Sequence, residues 1–354
     1  MENWTADTNI SSVYNNSTYN NTLTWTTISS FNVFVLTTGL FTNLSVILLF
    51  VQNASLRTPF TIYLVNLLVA NLMCSVVYYP LQLLNDLYAI WWTGTNVCTV
   101  YQYAQWIAQS AMCNAHLMIA LNRLWAVTLP VSYRQNHKKS MAVTICVATW
   151  VFVHVCLVPG LVLDALYHRL PEDINGCAVN TDANNVYWNI IQFVSYNGPE
   201  LGVIIAYFAI CYKTFQRYRD KVRPSVPVAA SGRQSSAVRS VKAESATTGT
   251  MNHHSNDTEQ PCCSRFMCWR MRKRNTEHGF LMLTLMTLAI CICYTPENVY
   301  YTVWAIDKES ISSVSSLYLP AAVLYEMTAV LDPIWFVLAL PDFRQAFRRT
   351  YCSL

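Results

Sequence analysis

Four ionisable side chains stand in apolar sequence, where charge is expensive. Arg123 ends the run "LMIALNRLWAVTLP", Glu297 follows the proline of "CYTPENVYYTVW", and Glu326 and Asp332 share "LYEMTAVLDPIWF". Acids in such surroundings attract cations, relay protons or hold a partner helix, so each is a functional candidate. Around them lie Gln105 and the rings of Trp106, Tyr300, Tyr301, Trp304 and Tyr325, which could make cation–π contacts. Ordinary packing explains any one ring. Two carboxylates, Glu297 and Glu326, among aromatics favour a positively charged ligand, either an amine or a basic peptide. Catalysis has less support. The seven histidines (His116, His137, His154, His168, His253, His254 and His278) are scattered, with no pair at metal-ligand spacing on one helix. No enzyme, metal or cofactor is expected. Glu200, beside Pro199, either pairs with a polar neighbour such as Asn197 or faces lipid in its protonated form.

The elements that must hold these residues are membrane helices. Hydrophobic residues make up 53% of the 354-residue chain and charged residues 12%, whereas an average soluble domain is about 25% charged. Seven apolar stretches lie near 30–52, 59–83, 96–127, 141–163, 188–213, 279–304 and 314–340, each long enough to cross hydrocarbon, which takes about 20 residues. They mostly lack the polar stripe of a soluble amphipathic helix. Of the 23 Lys and Arg, 21 fall on one side of these spans, and only Arg169 and Lys308 fall on the other. Basic residues mark the cytoplasmic side, so the C-terminus is inside and, with an odd number of spans, the N-terminus is extracellular. Residues 1–29 hold no Lys or Arg and no apolar core of a cleavable signal, which leaves the first span as the targeting signal. This tail carries sequons at Asn3, Asn9, Asn15, Asn16 and Asn20 and is expected to be glycosylated.

Of 13 cysteines, only Cys98 and Cys177 fall on the oxidising side, which leaves one possible intrachain disulfide. Spans one to five with their loops occupy 30–217. A basic, Ser- and Thr-rich stretch at 218–278 is expected to be a disordered cytoplasmic loop, and spans six and seven occupy 279–340. The last segment, 341–354, sets Phe343 and Phe347 four apart among Arg344, Arg348 and Arg349. That spacing predicts an amphipathic helix on the inner leaflet, with Cys352 a candidate for palmitoylation. The expected fold class is an all-α membrane protein, a seven-transmembrane helix bundle with a short amphipathic helix after the seventh span.

Asn43 in "GLFTNLSVILL", Asn71 in "LVNLLVANL", Trp91, Gly94 and Cys98 in "WWTGTNVC", and Trp150 before Pro159 occur in order along the first four spans. Pro199 before Tyr207, then "CYTP", then "DPIWF" follow on the last three. Together they resemble the rhodopsin-like (class A) G-protein-coupled receptors, over roughly residues 30 to 350. The resemblance implies a multi-pass receptor of the plasma membrane. Such a receptor binds an extracellular ligand in the outer half of the bundle and activates a heterotrimeric G protein inside. Arrestin and membrane lipids are further expected partners, and nucleic acid is not. By the same resemblance, Asn122, Arg123 and Leu124 match the family's Asp-Arg-Tyr coupling motif. Tyr207, Tyr294, Pro296, Asp332, Pro333 and Phe336 match its activation residues, and Asn43, Asn71 and Asp332 its polar core. Arg123 lies 25 residues past Cys98, about 37 Å of helix. That exceeds the hydrocarbon thickness of about 30 Å and puts the guanidinium at the cytoplasmic boundary.

The departures from the family pattern carry their own expectations. Asn122 offers Arg123 a neutral hydrogen bond where the family has a carboxylate, and Thr276 stands near the depth of the family's acid on helix six. Charge-assisted bonds are roughly twice as strong as neutral ones, so a weakened inactive-state lock and raised basal activity are expected. Aspartate and asparagine are exchanged between spans two and seven (Asn71, Asp332), and Met112 replaces a frequent serine, which puts sodium binding in question. Gln105 stands where amine receptors have aspartate, and Glu326 where opsins have their retinal lysine, so the chain is not an opsin. The alternative is a polytopic channel or transporter that uses the intramembrane acids. That reading predicts internal repeats, and none is found in the sequence.

Overall fold

The computed structural model describes residues 23–88, 90–172, 176–222, 284–306 and 311–352. The five sequons, Lys308, Thr276 and nearly all of the 218–278 loop lie outside the described residues.

Helix α1 covers Thr27–Gln52, α2 Pro59–Leu87, α3 Thr95–Thr128 and α4 Lys139–His168. Helix α5 runs through Asn185–Gln192 and a π turn at Phe193–Asn197 into Gly198–Val222. Helix α6 covers 284–293 and Thr295–Ile306, α7 covers Ile311–Glu326 and Thr328–Ala339, and α8 covers Pro341–Tyr351. Among the described residues there is no strand. Helices α1, α2, α4, α5 and the Leu317–Ala339 part of α7 are long and apolar enough to cross a membrane. Helix α3, 34 residues and about 50 Å long, is more polar because it packs at the centre against α2, α4 and α5.

Local sequence sets the helix starts. Thr26 and Ser29 form a capping box on α1, and Thr58 and Thr61 form another on α2, where Pro59 takes the first helical position. The polarity of the bundle is inside out. Phe34 and Phe41 on α1, Val147, Val151 and Val155 on α4, and Ile205 and Phe208 on α5 are exposed, while Asn43, Asn71, Ser110, Asn114, His116 and Asp332 are buried. Lipid favours this arrangement, because ionisable and polar groups in membrane helices turn to the bundle interior.

Prolines break the backbone ladder, and neighbouring helices repair it. Proline has no N–H, so the carbonyl four residues earlier loses its helical donor. For Pro199 that carbonyl is Ser195, which accepts from the Asn114 amide of α3 at 3.4 Å. For Pro333 it is Ala329, which accepts from the Asn43 amide of α1 at 2.7 Å. Helix α6 is interrupted at Tyr294, two residues before Pro296, and α7 at Met327. The interruption of α6 falls beside Pro296, where the broken ladder lets a helix bend.

At the outer end, Cys98 at the top of α3 is bonded to Cys177, with Cα atoms 5.6 Å apart. Trp91 donates its indole N–H to the Gly94 carbonyl at 3.1 Å, and Gly94 has φ of +87°, a backbone that glycine adopts without strain. At the inner end, Phe343 and Ala346 of α8 are buried, while Arg348, Arg349 and Cys352 are exposed. This is the amphipathic arrangement that the spacing of Phe343 and Phe347 predicts.

Candidate functional site

The outer ends of the helices enclose a cavity of about 620 Å³. All eight ligand candidates read from the sequence line it: Gln105, Trp106, Glu297, Tyr300, Tyr301, Trp304, Tyr325 and Glu326. Glu297 is 9% exposed, and its Oε2 is buried with no hydrogen-bond partner. Glu326 is 8% exposed, and neither acid has an ion-pair partner among the described residues. A buried acid without a partner bears a large desolvation cost that a bound cation would offset. The walls are aromatic: Trp106 lies 4.9 Å from Trp188, and Tyr300 lies 5.0 Å from Tyr318, centroid to centroid. Gln102 donates to the Cys177 carbonyl at 2.7 Å and accepts from the Trp106 indole at 3.2 Å, so the disulfide loop helps to orient the wall.

Among the described residues, no Lys, Arg or His lines this cavity. Arg169, one of the two basic residues expected outside, is bound to Asp164 at 2.7 Å, with both side chains buried. Asp164 also accepts from the Asn180 backbone at 2.8 Å. Sequence reasoning missed Asp86, which lines the cavity from the last turn of α2. An acid at the outer boundary of a span looks like ordinary solvated polarity. The available signal was Gln82, four residues earlier on the same helical face.

Deeper in the bundle, Asp332 collects two donors. His116 Nε2 lies 3.1 Å from its Oδ1, and the Asn71 amide donates to its Oδ2 at 3.2 Å. His116 Nδ1 lies 2.9 Å from the Met112 carbonyl, which can only accept, so Nδ1 carries a proton. The Nε2–Oδ1 contact needs a second proton, held on one atom or the other. The pair is therefore neutral overall, and α3 is tied to α7 through it. The residues do not fit a sodium ion: both carboxylate oxygens already face donors, and Met112 supplies no hydroxyl oxygen. Among the polar-core residues, Asn71 meets Asp332 directly, while Asn43 serves the Ala329 carbonyl instead. Tyr294 packs edge-on against both His116 (5.5 Å) and Tyr325 (4.6 Å), which connects this core to the floor of the outer cavity.

Glu200 takes the polar pairing that the sequence offered as one alternative, but with partners other than Asn197. It is buried and accepts from the Thr295 hydroxyl and, at 2.6 Å, from the Asn298 amide. It therefore ties α5 to α6 at Pro296. It neither faces lipid nor takes Asn197, whose amide donates to Thr302 at 2.7 Å.

Asn122 departs from expectation. Its amide does not hold Arg123. It accepts from the Tyr133 hydroxyl at 3.1 Å and lies 2.9 Å from His137 Nε2. Tyr133 and His137 are stacked at 4.4 Å beside Trp125, in the loop that follows α3. Burial pushes the His137 imidazole below its ordinary pKa and so favours the neutral ring that this cluster needs. Arg123 instead lies over the Phe60 ring at 3.6 Å, has no ion-pair partner among the described residues, and leaves its buried Nε unpartnered. It borders an inner cavity of about 170 Å³ with Thr58, Leu340 and Phe343. Leu124 packs on the core nearby, Phe336 is fully buried, and Tyr207 stands on α5 with its ring 5.9 Å from Phe208.

The model of the 7-transmembrane receptor (rhodopsin family) matches residues 42–336. The alpha-2B adrenergic receptor of Rattus norvegicus is 26% identical over 185 residues, which cover 52% of this chain and 40% of that receptor. The corresponding receptor of Echinops telfairi is 25% identical over 245 residues, covering 66% of this chain and 62% of the relative. The 5-hydroxytryptamine receptor 1B of Canis lupus familiaris is 22% identical over 326 residues, covering 84% and 79%. The chain thus spans less than half the length of the rat receptor it matches.

Proposed function

We propose that this chain, which belongs to the rhodopsin family of 7-transmembrane receptors, binds a cationic extracellular ligand in its outer cavity and activates a heterotrimeric G protein. A member of this family is a receptor and not an enzyme. The observation that carries the ligand class is the cavity itself: two buried acids, one with an unpartnered oxygen, among aromatic walls and, among the described residues, no basic one. Relatives named for adrenergic ligands and 5-hydroxytryptamine favour an amine. Because Gln105 replaces the aspartate of amine receptors, the anchor moves to Glu297 and Glu326. A basic peptide uses the same anchors. The N-terminus faces outside the plasma membrane, and arrestin and anionic lipid engage the inner face, α8 and the basic loop ends.

The ligand would act through its different affinities for two helix arrangements. Glu297 directly follows Pro296, so a cation held there bears on the point where α6 is interrupted. Tyr294 passes the change to His116 and Asp332, and Arg123 lies seven residues, two helical turns, below His116 on the same face of α3. Outward movement of α6 opens the inner face, and a G-protein helix docks in a groove that contains Arg123.

Ligand-free signalling tests this reading across a panel of G proteins at matched surface expression. Among the described residues Arg123 is held by no carboxylate, so the wild type should signal without ligand and Arg123→Ala should not. Asn122→Asp restores a charge-assisted partner and should lower basal signalling several-fold, roughly the effect of one strengthened hydrogen bond. Equal basal signalling in wild type and Arg123→Ala would contradict the coupling role. No basal signalling in the wild type would contradict the missing lock.

A further inference from the structure

Glu297 and Glu326 do not account for all the negative charge of the outer cavity. Asp86, one residue from the outer end of α2, is the third carboxylate in its wall. Neutral amides orient it: Gln82 donates to one oxygen at 2.9 Å and Asn32 to the other. The Tyr101 hydroxyl in turn donates to Gln82, which fixes the amide that holds the acid. None of these partners is a cation, and Asp86 has no ion pair among the described residues. Among the described residues the carboxylate is thus positioned but has no cationic partner.

The three acids reach the cavity from three helices, Asp86 from α2, Glu297 from α6 and Glu326 from α7. Asp86 sits at the outermost turn of α2. Glu297 also borders a smaller recess with Tyr196 and Tyr325, and its buried Oε2 has no hydrogen-bond partner. Carboxamides, among them Gln105, Gln109 and Gln192, line both spaces and offer donors and acceptors to a polar linker. A ligand with one ammonium group brings one positive charge to three carboxylates. Carboxylates in the wall would then stay unmatched around a bound ligand, at a high cost. We infer that the ligand is a dication, with one cationic group at Glu297 and Glu326 and the second on Asp86. This rests on the reading of the cavity as a cation site and adds its second anchor.

The test uses full-length receptor in lipid nanodiscs and two families of probes. One family is α,ω-diamines of graded chain length with n-alkylamines of matching length. The other is lysine amide with norleucine amide. Affinity is read from the rise in thermal unfolding temperature with concentration. At one length a diamine, or the lysine amide, should bind at least about tenfold tighter than its monocation, since bonds to charged groups carry that much. In Asp86→Asn the advantage should vanish while monocation affinity persists, which also reports an intact fold. Asp86→Glu should restore part of it. Equal affinity of mono- and dications for wild type, or an advantage that survives Asp86→Asn, would overturn the second anchor. If Glu297→Gln still weakens both kinds of probe, the cation site itself stands. If neither Glu297→Gln nor Glu326→Gln changes any affinity, or no amine binds, the cation site fails along with the inference.

Discussion

Replacing His116 with leucine should cost about 3–5 kcal/mol of folding stability, the range for removing one partner of a buried charged pair. His116 and Asp332 are 3% and 2% exposed and meet at 3.1 Å. Leucine fills similar space but leaves Asp332 with only the Asn71 amide. The acid must then stay charged in a poor environment or take a proton of its own. Combining His116→Leu with Asp332→Asn removes the stranded charge, keeps a group for Asn71 to bond, and should return more than half of the loss. Unfolding of the purified receptor in one fixed micelle measures all four members of this cycle. A single-variant loss below about 1 kcal/mol, or strictly additive effects, would show that the two residues do not act as a unit.

That pair was not legible in the sequence. Helical spacing tells which residues share a face of one helix, but not which faces meet across 216 positions. His116 therefore read as one of seven scattered histidines, and Asp332 as a displaced polar-core acid. The partners of Asn122 were hidden for a related reason. They come from the short helix Pro130–Asn136 and His137 after it, whose fold back onto α3 no local pattern announces. Glu200 was unexplained because its donors, Thr295 and Asn298, lie on another helix. The outer cavity was far more legible. An acid inside an apolar span has few places to go except the bundle interior, so Glu297 and Glu326, with their aromatic neighbours, were found together. Asp86 escaped because at a helix end the same residue type needs no special account. The π turns before Pro80 and Pro199 also left no mark beyond the prolines themselves.

Removing charge from the cavity should have the second large effect. Glu297→Gln and Glu326→Gln keep the shape of the wall but replace a carboxylate with an amide. A hydrogen bond to a charged group contributes about 1.5–3 kcal/mol, so each variant should raise the half-maximal concentration of a cationic agonist by roughly 10- to 100-fold. Glu297 should show the larger shift, because its Oε2 has no other partner and its position beside Pro296 couples binding to the bend in α6. Concentration–response curves at matched surface expression measure both. Unchanged potency in both variants would remove the acids from the ligand site. A fall in maximal response with potency unchanged would assign Glu297 to the conformational change instead of binding.

A cation in the outer cavity should turn on a G protein at the inner face. Guanine-nucleotide exchange by purified receptor and purified G proteins tests it most directly, with a panel of amines and basic peptides added to wild type and Arg123→Ala. At least one cation should stabilise both proteins against unfolding but accelerate exchange only in the wild type. A cation that binds the wild type yet accelerates exchange on no G protein, or that accelerates it equally in Arg123→Ala, would contradict the claim.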